Sequence, residues 1–387
     1  MTISPDPIET PTSASVVPPM PRPAAPQRTA SKWRGLIAGI GAALLVICCL
    51  GLLAIWVGSE SGGSAFLVGL ALAIVPVPLY TLLAVWMDRF EPEPAWMLIG
   101  AFIWGGVVAT AVSAILNTAG GLAVALMLGD VAGEMFSAVM SAPFVEETTK
   151  GLALLILFLW KKDEFDNIVD GVLYAAMLGL GFAMIENVIY YGRAYYEEGF
   201  SGSMTLFVLR GLITSFLHPL CTSMTGVGLG WARQTTRGWV KVVAPLGGYF
   251  LAMTLHGLWN LSATLGAWPI AYIFVLLPTL LGTLILVWVH QSREGKIVRQ
   301  YLTPEMENGL LNPGAFEEMY SLKVRGKALW KILFSEGLKA WQKRMKLHQM
   351  GGELAFHRWR VARGVVKNDE TAAAKAIDLQ QNMLLLQ

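Results

Sequence analysis

Residues 269–290 read PIAYIFVLLPTLLGTLILVWVH and contain no Asp, Glu, Lys or Arg. A helix needs about 20 consecutive apolar residues to cross the hydrocarbon core of a bilayer. A helix of this length in a soluble protein normally has one polar face, which this segment lacks. The segment therefore predicts a transmembrane helix.

Seven further segments have similar length and apolar character. They lie near residues 35–57, 64–87, 95–119, 135–160, 167–191, 203–230 and 241–263. The composition agrees, because 55% of the residues are hydrophobic and only 14% are charged, unlike the average soluble domain. We predict an all-α fold, a polytopic transmembrane helix bundle with about eight spans. The shorter apolar piece at 120–134 is either an extra half-span or a surface helix.

The composition divides the chain into three regions. Residues 1–31 are rich in Pro, Ser and Thr and predict a disordered tail. Residues 32–290 form the predicted transmembrane domain. Residues 291–387 mix Lys, Arg and Glu with Leu, Trp and Phe at helical spacing and predict a helical C-terminal region. Its basic, Trp-containing face either rests on anionic lipid or packs into a solvated helical hairpin.

Basic residues are concentrated on one side of the predicted bundle. They are Lys32, Arg34, Arg89, Lys161, Lys162, Arg233, Arg237, Lys241, Arg293, Lys296 and Arg299. The other side has only Arg193 in its loops. Because Lys and Arg accumulate in cytoplasmic loops, both termini are predicted to be cytoplasmic. The net charge of +2 is too small to indicate nucleic-acid binding.

Charged residues inside the predicted spans are the strongest functional signal, because a charge at bilayer depth is costly. The fourth span contains Glu146, Glu147 and Lys150. Lys150 lies one helical turn beyond both carboxylates and can pair with either. The fifth span contains Glu186 and Asn187 without a basic residue within one turn. Glu186 therefore either pairs with another helix or stays protonated.

The sixth and seventh spans add basic and amide groups. Arg210, Thr214 and His218 recur along one predicted face of the sixth span, while His256 and Asn260 share a face of the seventh. At 1.5 Å per residue, the glutamates and histidines reach similar depths and can meet in one cavity. Such a cluster suits either proton-coupled transport or hydrolysis by a water that a carboxylate deprotonates.

These residues carry a resemblance to a known family. The chain resembles the PrsW intramembrane proteases of bacteria, distant relatives of the type II CAAX prenyl endopeptidases. The shared motifs are EExxK at Glu146, Glu147 and Lys150, FxxxEN at Phe182, Glu186 and Asn187, the His218 motif on a span opening with Arg210, and HxxxN at His256 and Asn260. The acidic, proline-containing segment 88–94 also looks like that of the family. The resemblance covers roughly residues 75–265.

The resemblance implies hydrolysis of peptide bonds within a bacterial plasma membrane. The implied substrates are single-pass membrane proteins such as anti-sigma factors. In that interpretation Glu146 or Glu147 activates a water, and His218, His256 and Asn260 position it or stabilise the oxyanion.

The roles of the remaining residues follow less directly from the family. Lys150 would keep one glutamate ionised. Glu186 stands where the CAAX relatives have a His.

Metal dependence is left open by the sequence. The HExxH spacing of many zinc peptidases is absent. Glu186, His218 and His256 from three helices are a candidate zinc set, but ligands from three separate spans are geometrically demanding. A metal-free glutamate mechanism is therefore preferred.

Two other functions have to be weighed against proteolysis. A proton-coupled carrier would show paired repeats with broken helices, and no such internal symmetry is visible. A non-catalytic membrane scaffold would contain the same polar residues, so the sequence does not separate it from a protease.

Overall fold

The computed structural model describes residues 47–49, 51, 63–162, 164–364, 366 and 368–386, all within one compact unit, Leu45–Gln387. In these ranges the chain consists of helices joined by turns, with no β-strand. The prediction of an all-α fold is confirmed. The predicted tail at 1–31 and most of the predicted first span at 35–57 lie outside the described residues.

The helices are numbered here in chain order. They are α1 Gly63–Trp86, α2 Ala95–Leu128, α3 at 130–160, α4 Ile168–Leu206, α5 Leu217–Gln234, α6 Val240–Thr264, α7 Trp268–Glu307, α8 Pro313–Tyr320, α9 Leu322–Ser335, α10 Leu338–Ala362 and α11 Glu370–Leu384. Helix α3 consists of Asp130–Phe136 and Ala142–Trp160 joined by a π-helical turn, Ser137–Ser141.

In the described part of the chain, five helical stretches are long and apolar enough to cross a membrane. They contain six of the predicted spans, because the single stretch Ile168–Gln234 includes both α4 and α5. The predicted span at 135–160 is helical in α3, but its three charged residues make it too polar to be counted with the five. The multi-pass helical bundle is confirmed, and the number of eight spans stays a prediction.

Residues 120–134 do not form the separate half-span or surface helix predicted from the sequence. Residues 120–128 continue α2, and Gly129, with φ 91°, reverses the chain into α3. The two arms pack closely, since a Cβ on Gly133 would lie 2.6 Å from the carbonyl oxygen of Gly121. Small residues at this contact allow a helical hairpin where a bulkier pair would separate the arms.

The connection from α4 to α5 also departs from the sequence prediction. Gly199, with φ 69° and ψ −162°, kinks α4, and the chain after it packs back on the preceding turns, where the Ser203 hydroxyl donates to Tyr191 O at 2.6 Å. Arg210 lies in a π-helical segment, Phe207–Ile213, and the non-helical Thr214 follows this segment before α5 begins. The predicted polar face of the sixth span is therefore interrupted between Arg210 and His218.

Helix α4 lies at the centre of the bundle, and most of its side chains between Ile168 and Ala183 are buried. It approaches α5 through paired glycines, because a Cβ on Gly226 would lie 2.1 Å from Gly171 O. This close packing places the second half of α4 beside α3 and α5, where the predicted site residues are found.

Helices α8 to α11 and the end of α7 share a hydrophobic core of their own, into which Phe90 inserts from the turn between α1 and α2. Arg360 of α10 bridges the same region, since its guanidinium lies 2.8 Å from both Glu91 and Asp166. The C-terminal helices are thus attached to the loops at one end of the bundle, at 87–94 and 161–167.

Glu318 of α8 makes the stability of this C-terminal core depend on pH. Its carboxylate accepts hydrogen bonds from Arg344 at 2.7 and 2.9 Å and from His348 at 2.9 Å. Burial opposes its ionisation, but the hydrogen bonds from His348 and Arg344 outweigh burial and lower the pKa of Glu318 to about 2.

A group whose pKa is lower in the folded state stabilises the fold above its unfolded pKa. We therefore expect the C-terminal helices to lose stability as the pH falls from about 4.5 toward 2. Hydrogen exchange of α8 and α10 in detergent at each pH measures the loss. The Glu318→Gln variant should be less stable at neutral pH and show a weaker acid dependence, and an equal dependence in both proteins would contradict this assignment.

Candidate active site

A cavity of about 610 Å³ lies between α2, α3, α4, α5 and α6. Five of the predicted site residues line it: Glu146, Glu186, His218, His256 and Asn260. Lys150, Glu147 and Asn187 do not line the cavity and lie buried behind these residues. The structure thus brings the four predicted motifs together at one place.

Lys150 is the centre of the buried network. Its side chain is fully buried, and the ammonium lies 3.0 Å from Glu147 Oε1 and 3.5 Å from Glu146 Oε2. It also lies 3.1 Å from His218 Nδ1 and 3.9 Å from the centroid of the Phe182 ring. The prediction that Lys150 pairs with either glutamate is confirmed, because it contacts both.

Both carboxylate oxygens of Glu147 take part in hydrogen bonds. Its Oε1 accepts from Lys150 and lies 3.0 Å from His256 Nδ1, and its Oε2 accepts from the Thr222 hydroxyl at 2.9 Å. An ionised carboxylate can only accept hydrogen bonds, so the proton of His256 belongs on Nδ1. A neutral His256 then has its lone pair on Nε2.

Glu146 differs from its neighbour because its Oε2, although 3.5 Å from the Lys150 ammonium, accepts no hydrogen bond. This oxygen is buried. It lies 3.8 Å from His256 Nε2 and 3.9 Å from His218 Nδ1, both beyond hydrogen-bonding distance. A buried acceptor without a partner is costly, and where one occurs it is often a functional group.

Glu186 forms the second anchored carboxylate. Its Oε2 accepts from Arg210 Nη2 at 2.6 Å, and Arg210 Nε donates to Asn187 Oδ1 at 2.9 Å. The prediction that the partner of Glu186 comes from another segment is confirmed. Glu186 Oε2 also lies 2.9 Å from His218 Nε2, so His218 donates from Nε2 and its Nδ1 is an acceptor.

Asn260 reaches α3 from α6, where its amide donates to Ala138 O at 2.8 Å. One of its two amide hydrogens is used in this bond, and the side chain lines the cavity.

The polar cavity residues that the sequence analysis missed include Ser113 and Asn117. Ser113 of α2 is buried, and its hydroxyl has no partner. Asn117 lies one turn further along the same wall and accepts from the Ser141 hydroxyl at 2.8 Å. The signal was present, because a Ser and an Asn four residues apart share one helix face within the predicted span 95–119.

The donor set of the cavity also fits a divalent metal ion. Across the described residues, Glu146, His218 and His256 form the one group of three whose ligand atoms all lie within 4.8 Å of one another. Two imidazoles and a carboxylate are the ligands of many catalytic zinc sites, and the hydrogen bond of His256 to Glu147 is a typical outer-shell contact. The set predicted from the sequence has Glu186 in place of Glu146, but Glu186 is paired with Arg210.

Comparison with known proteins gives a consistent result. A profile described as "PrsW family intramembrane metalloprotease" matches residues 93–286, just over half of the chain. The chain is 23% identical over 192 residues to "Protease PrsW" of Geobacillus kaustophilus (strain HTA426), covering 44% of this chain and 79% of that protein. It is 30% identical over 162 residues to "Protease PrsW" of Halalkalibacterium halodurans, covering 42% and 67%. No solved structure matches the chain.

The network predicts a large structural effect of replacing Lys150. Lys150→Met keeps most of the side-chain volume but leaves two carboxylates at the site without a cation. Breaking a buried ion pair from one side costs about 3–5 kcal/mol. We expect a loss of that size in the free energy of unfolding, measured by thermal or denaturant unfolding in detergent.

Lys241→Met at an exposed position is the matched control and should change stability little. Combining Lys150→Met with Glu147→Gln should recover part of the loss, because the second change removes one unpaired charge. A Lys150→Met protein as stable as the wild type would contradict the described network.

Proposed function

Because this chain belongs to the PrsW family of intramembrane proteases, we propose that it cleaves single-pass, membrane-anchored substrates of the anti-sigma-factor kind. We assign cleavage to the cavity that contains Glu146, Glu186, His218 and His256. The observation that carries this assignment is Glu146 Oε2, which accepts no hydrogen bond and lies within 4 Å of two imidazoles.

The charge balance of the network supports Glu146 as the proton acceptor. Three carboxylates, at Glu146, Glu147 and Glu186, face two cations, Lys150 and Arg210. Both oxygens of Glu147 accept hydrogen bonds, and Oε2 of Glu186 accepts hydrogen bonds from Arg210 and His218. Glu146 is then the carboxylate in excess, and it is the one with an oxygen available to take a proton from water.

The proposed reaction uses only groups that line the cavity. Glu146 Oε2 takes a proton from a water while the water oxygen attacks the scissile carbonyl carbon. His256 Nε2 accepts the second hydrogen of that water and orients it, because its own proton is held by Glu147. The C–N bond then breaks, and the proton on Glu146 passes to the leaving amine.

Two further groups stabilise the substrate in this proposal. The second amide hydrogen of Asn260 donates to the oxyanion that forms on the carbonyl carbon. The free hydroxyl of Ser113 on the opposite wall donates to the substrate backbone. A substrate helix must unwind for cleavage, and its freed carbonyl groups then need such donors in the bilayer.

A metal-dependent mechanism is the second candidate, favoured by the family description and by the grouping of Glu146, His218 and His256. These three residues would hold the ion. A divalent ion there would polarise the scissile carbonyl and lower the pKa of water. Against it, Lys150 already lies 3.1 Å from His218 Nδ1 and supplies positive charge to the same groups. We therefore retain the glutamate mechanism as the proposal.

The cavity is proposed to open away from the cytoplasm. Its outer part is lined by Glu134, Arg193 and Thr264, which follow or precede the turns at Gly129, Gly199 and Gly266. The basic loops lie at the opposite end of the helices. By the positive-inside rule those loops, and both termini, are cytoplasmic in the plasma membrane.

The test is cleavage of a panel of single-span substrates by the purified protein in liposomes, read by mass spectrometry of the fragments. We expect Glu146→Gln to lower the rate by about 10²–10⁴-fold, because a positioned acid–base group contributes that much. Asp130→Asn, an exposed acid at the start of α3, is the matched control and should cleave like the wild type.

A strong zinc chelator separates the two mechanisms. Activity that is insensitive to chelator and lost in Glu146→Gln supports the glutamate mechanism. Loss with chelator and recovery with added zinc supports the metal set instead. Equal cleavage by the wild type and Glu146→Gln would contradict both the glutamate mechanism and the metal-dependent mechanism. Transport activity in a folded protein that cleaves no substrate would also contradict both mechanisms.

A further inference from the structure

Helix α9 carries an exposed face that none of the described residues covers. Trp330 is 63% exposed and Phe334 80% exposed, and their rings stack at 5.5 Å between centroids with an 11° interplanar angle. Lys323, Lys327 and Lys331 are exposed on the same face. The positions follow the spacing i, i+4, i+7, i+8 and i+11, so they form one strip along the helix.

The other side of α9 is fixed to the end of the transmembrane bundle. Arg325, which is buried, donates to the carbonyl oxygen of Arg89 in the turn after α1. Leu322 lines a small cavity together with Trp288 of α7. The N-terminal half of α9 therefore lies at the level where α1 ends and where the apolar part of α7 ends.

Exposed tryptophans mark this level as the membrane–water interface. Exposed indoles stand at or next to the ends of four helices at this end of the bundle and where the apolar part of α7 ends: Trp86, Trp96, Trp160, Trp239 and, in α7, Trp288. Gln291 donates to Met87 O, which places Trp288 and Trp86 at matching heights. Tryptophan is enriched in such belts because its ring is apolar and its N–H is polar.

We infer that α9 is an interfacial helix that binds anionic lipid headgroups, with Trp330 and Phe334 in the acyl boundary and Lys323, Lys327 and Lys331 on the headgroups. Two features select lipid rather than a protein partner. The strip continues the tryptophan belt of the bundle, and its lysines can extend from an apolar surface to the phosphate level. The helix lies outside residues 93–286, the part matched by the family profile, and the inference does not depend on proteolysis.

The test places a photo-reactive p-benzoylphenylalanine at position 334 of the full chain in nanodiscs. After illumination we expect a lipid adduct on the peptide containing position 334, detected by mass spectrometry. Position 377 is the control, because Ile377 is 52% exposed on α11. Gln380, one turn away, donates to Glu305 of α7. Along α7, Glu305 lies about 21 Å beyond Gln291, and therefore well beyond the tryptophan belt. No lipid adduct is expected there.

The charge component is tested by comparing nanodiscs with and without phosphatidylglycerol. The triple variant Lys323→Gln, Lys327→Gln, Lys331→Gln should lower the adduct yield at position 334 about fivefold or more in anionic discs and little in neutral ones. High salt should have the same effect on the unsubstituted lysines. Unchanged melting temperatures establish that the variants are folded.

The inference would be overturned by the absence of a lipid adduct at position 334, or by an equal yield at positions 334 and 377. It would also be overturned if position 334 formed an adduct only with a protein in cell membranes, because the strip would then be a protein-docking surface. Equal yields in neutral and anionic discs would refute the headgroup contact.

Discussion

The buried ammonium of Lys150 is the interaction on which the rest of the site depends. One cation holds Glu147 at 3.0 Å, stays within 3.5 Å of Glu146 and contacts His218 from another helix. Two helices, α3 and α5, are thereby tied at one point inside the bundle. Without this charge, two carboxylates on one turn of α3 would repel each other in a medium where charge is expensive.

The arrangement gives two adjacent glutamates different tasks. Glu147 faces inward, accepts three hydrogen bonds and orients His256. Glu146 lies about 100° further round the helix, where it faces the cavity with one oxygen that accepts no hydrogen bond. In the proposed mechanism, a stability role and a chemical role are therefore separated by a single residue step.

Part of this could be predicted from the sequence and part could not. The EExxK spacing predicts the contact of Lys150 with both glutamates, because helix geometry alone places them one turn apart. Which glutamate faces the cavity depends on the positions of α5 and α6, so the sequence left that open. The prediction of a continuous polar face from Arg210 to His218 was wrong. The π-helical segment and the break at Thr214 interrupt that face, and both depend on packing against α4.

The C-terminal region shows the same limit. The periodicity of the sequence predicted that this region is helical, but it did not predict how the region is attached to the transmembrane bundle. Phe90 and Arg360 join it to the bundle across more than 200 residues of sequence. The cavity opens near one end of the bundle, and the C-terminal helices contact the basic loops at the other end. These helices therefore do not lie at the opening of the cavity.

The most direct test of this account compares the free energy of unfolding of Glu146→Gln and Glu147→Gln in the same detergent. The account predicts a smaller loss of stability in Glu146→Gln, because Glu146 Oε2 lies 3.5 Å from the Lys150 ammonium but accepts no hydrogen bond. Glu147→Gln should lose about 3–5 kcal/mol, because it breaks the contacts of Lys150 and His256. Equal losses, or a larger loss in Glu146→Gln, would contradict the division of roles between the two glutamates.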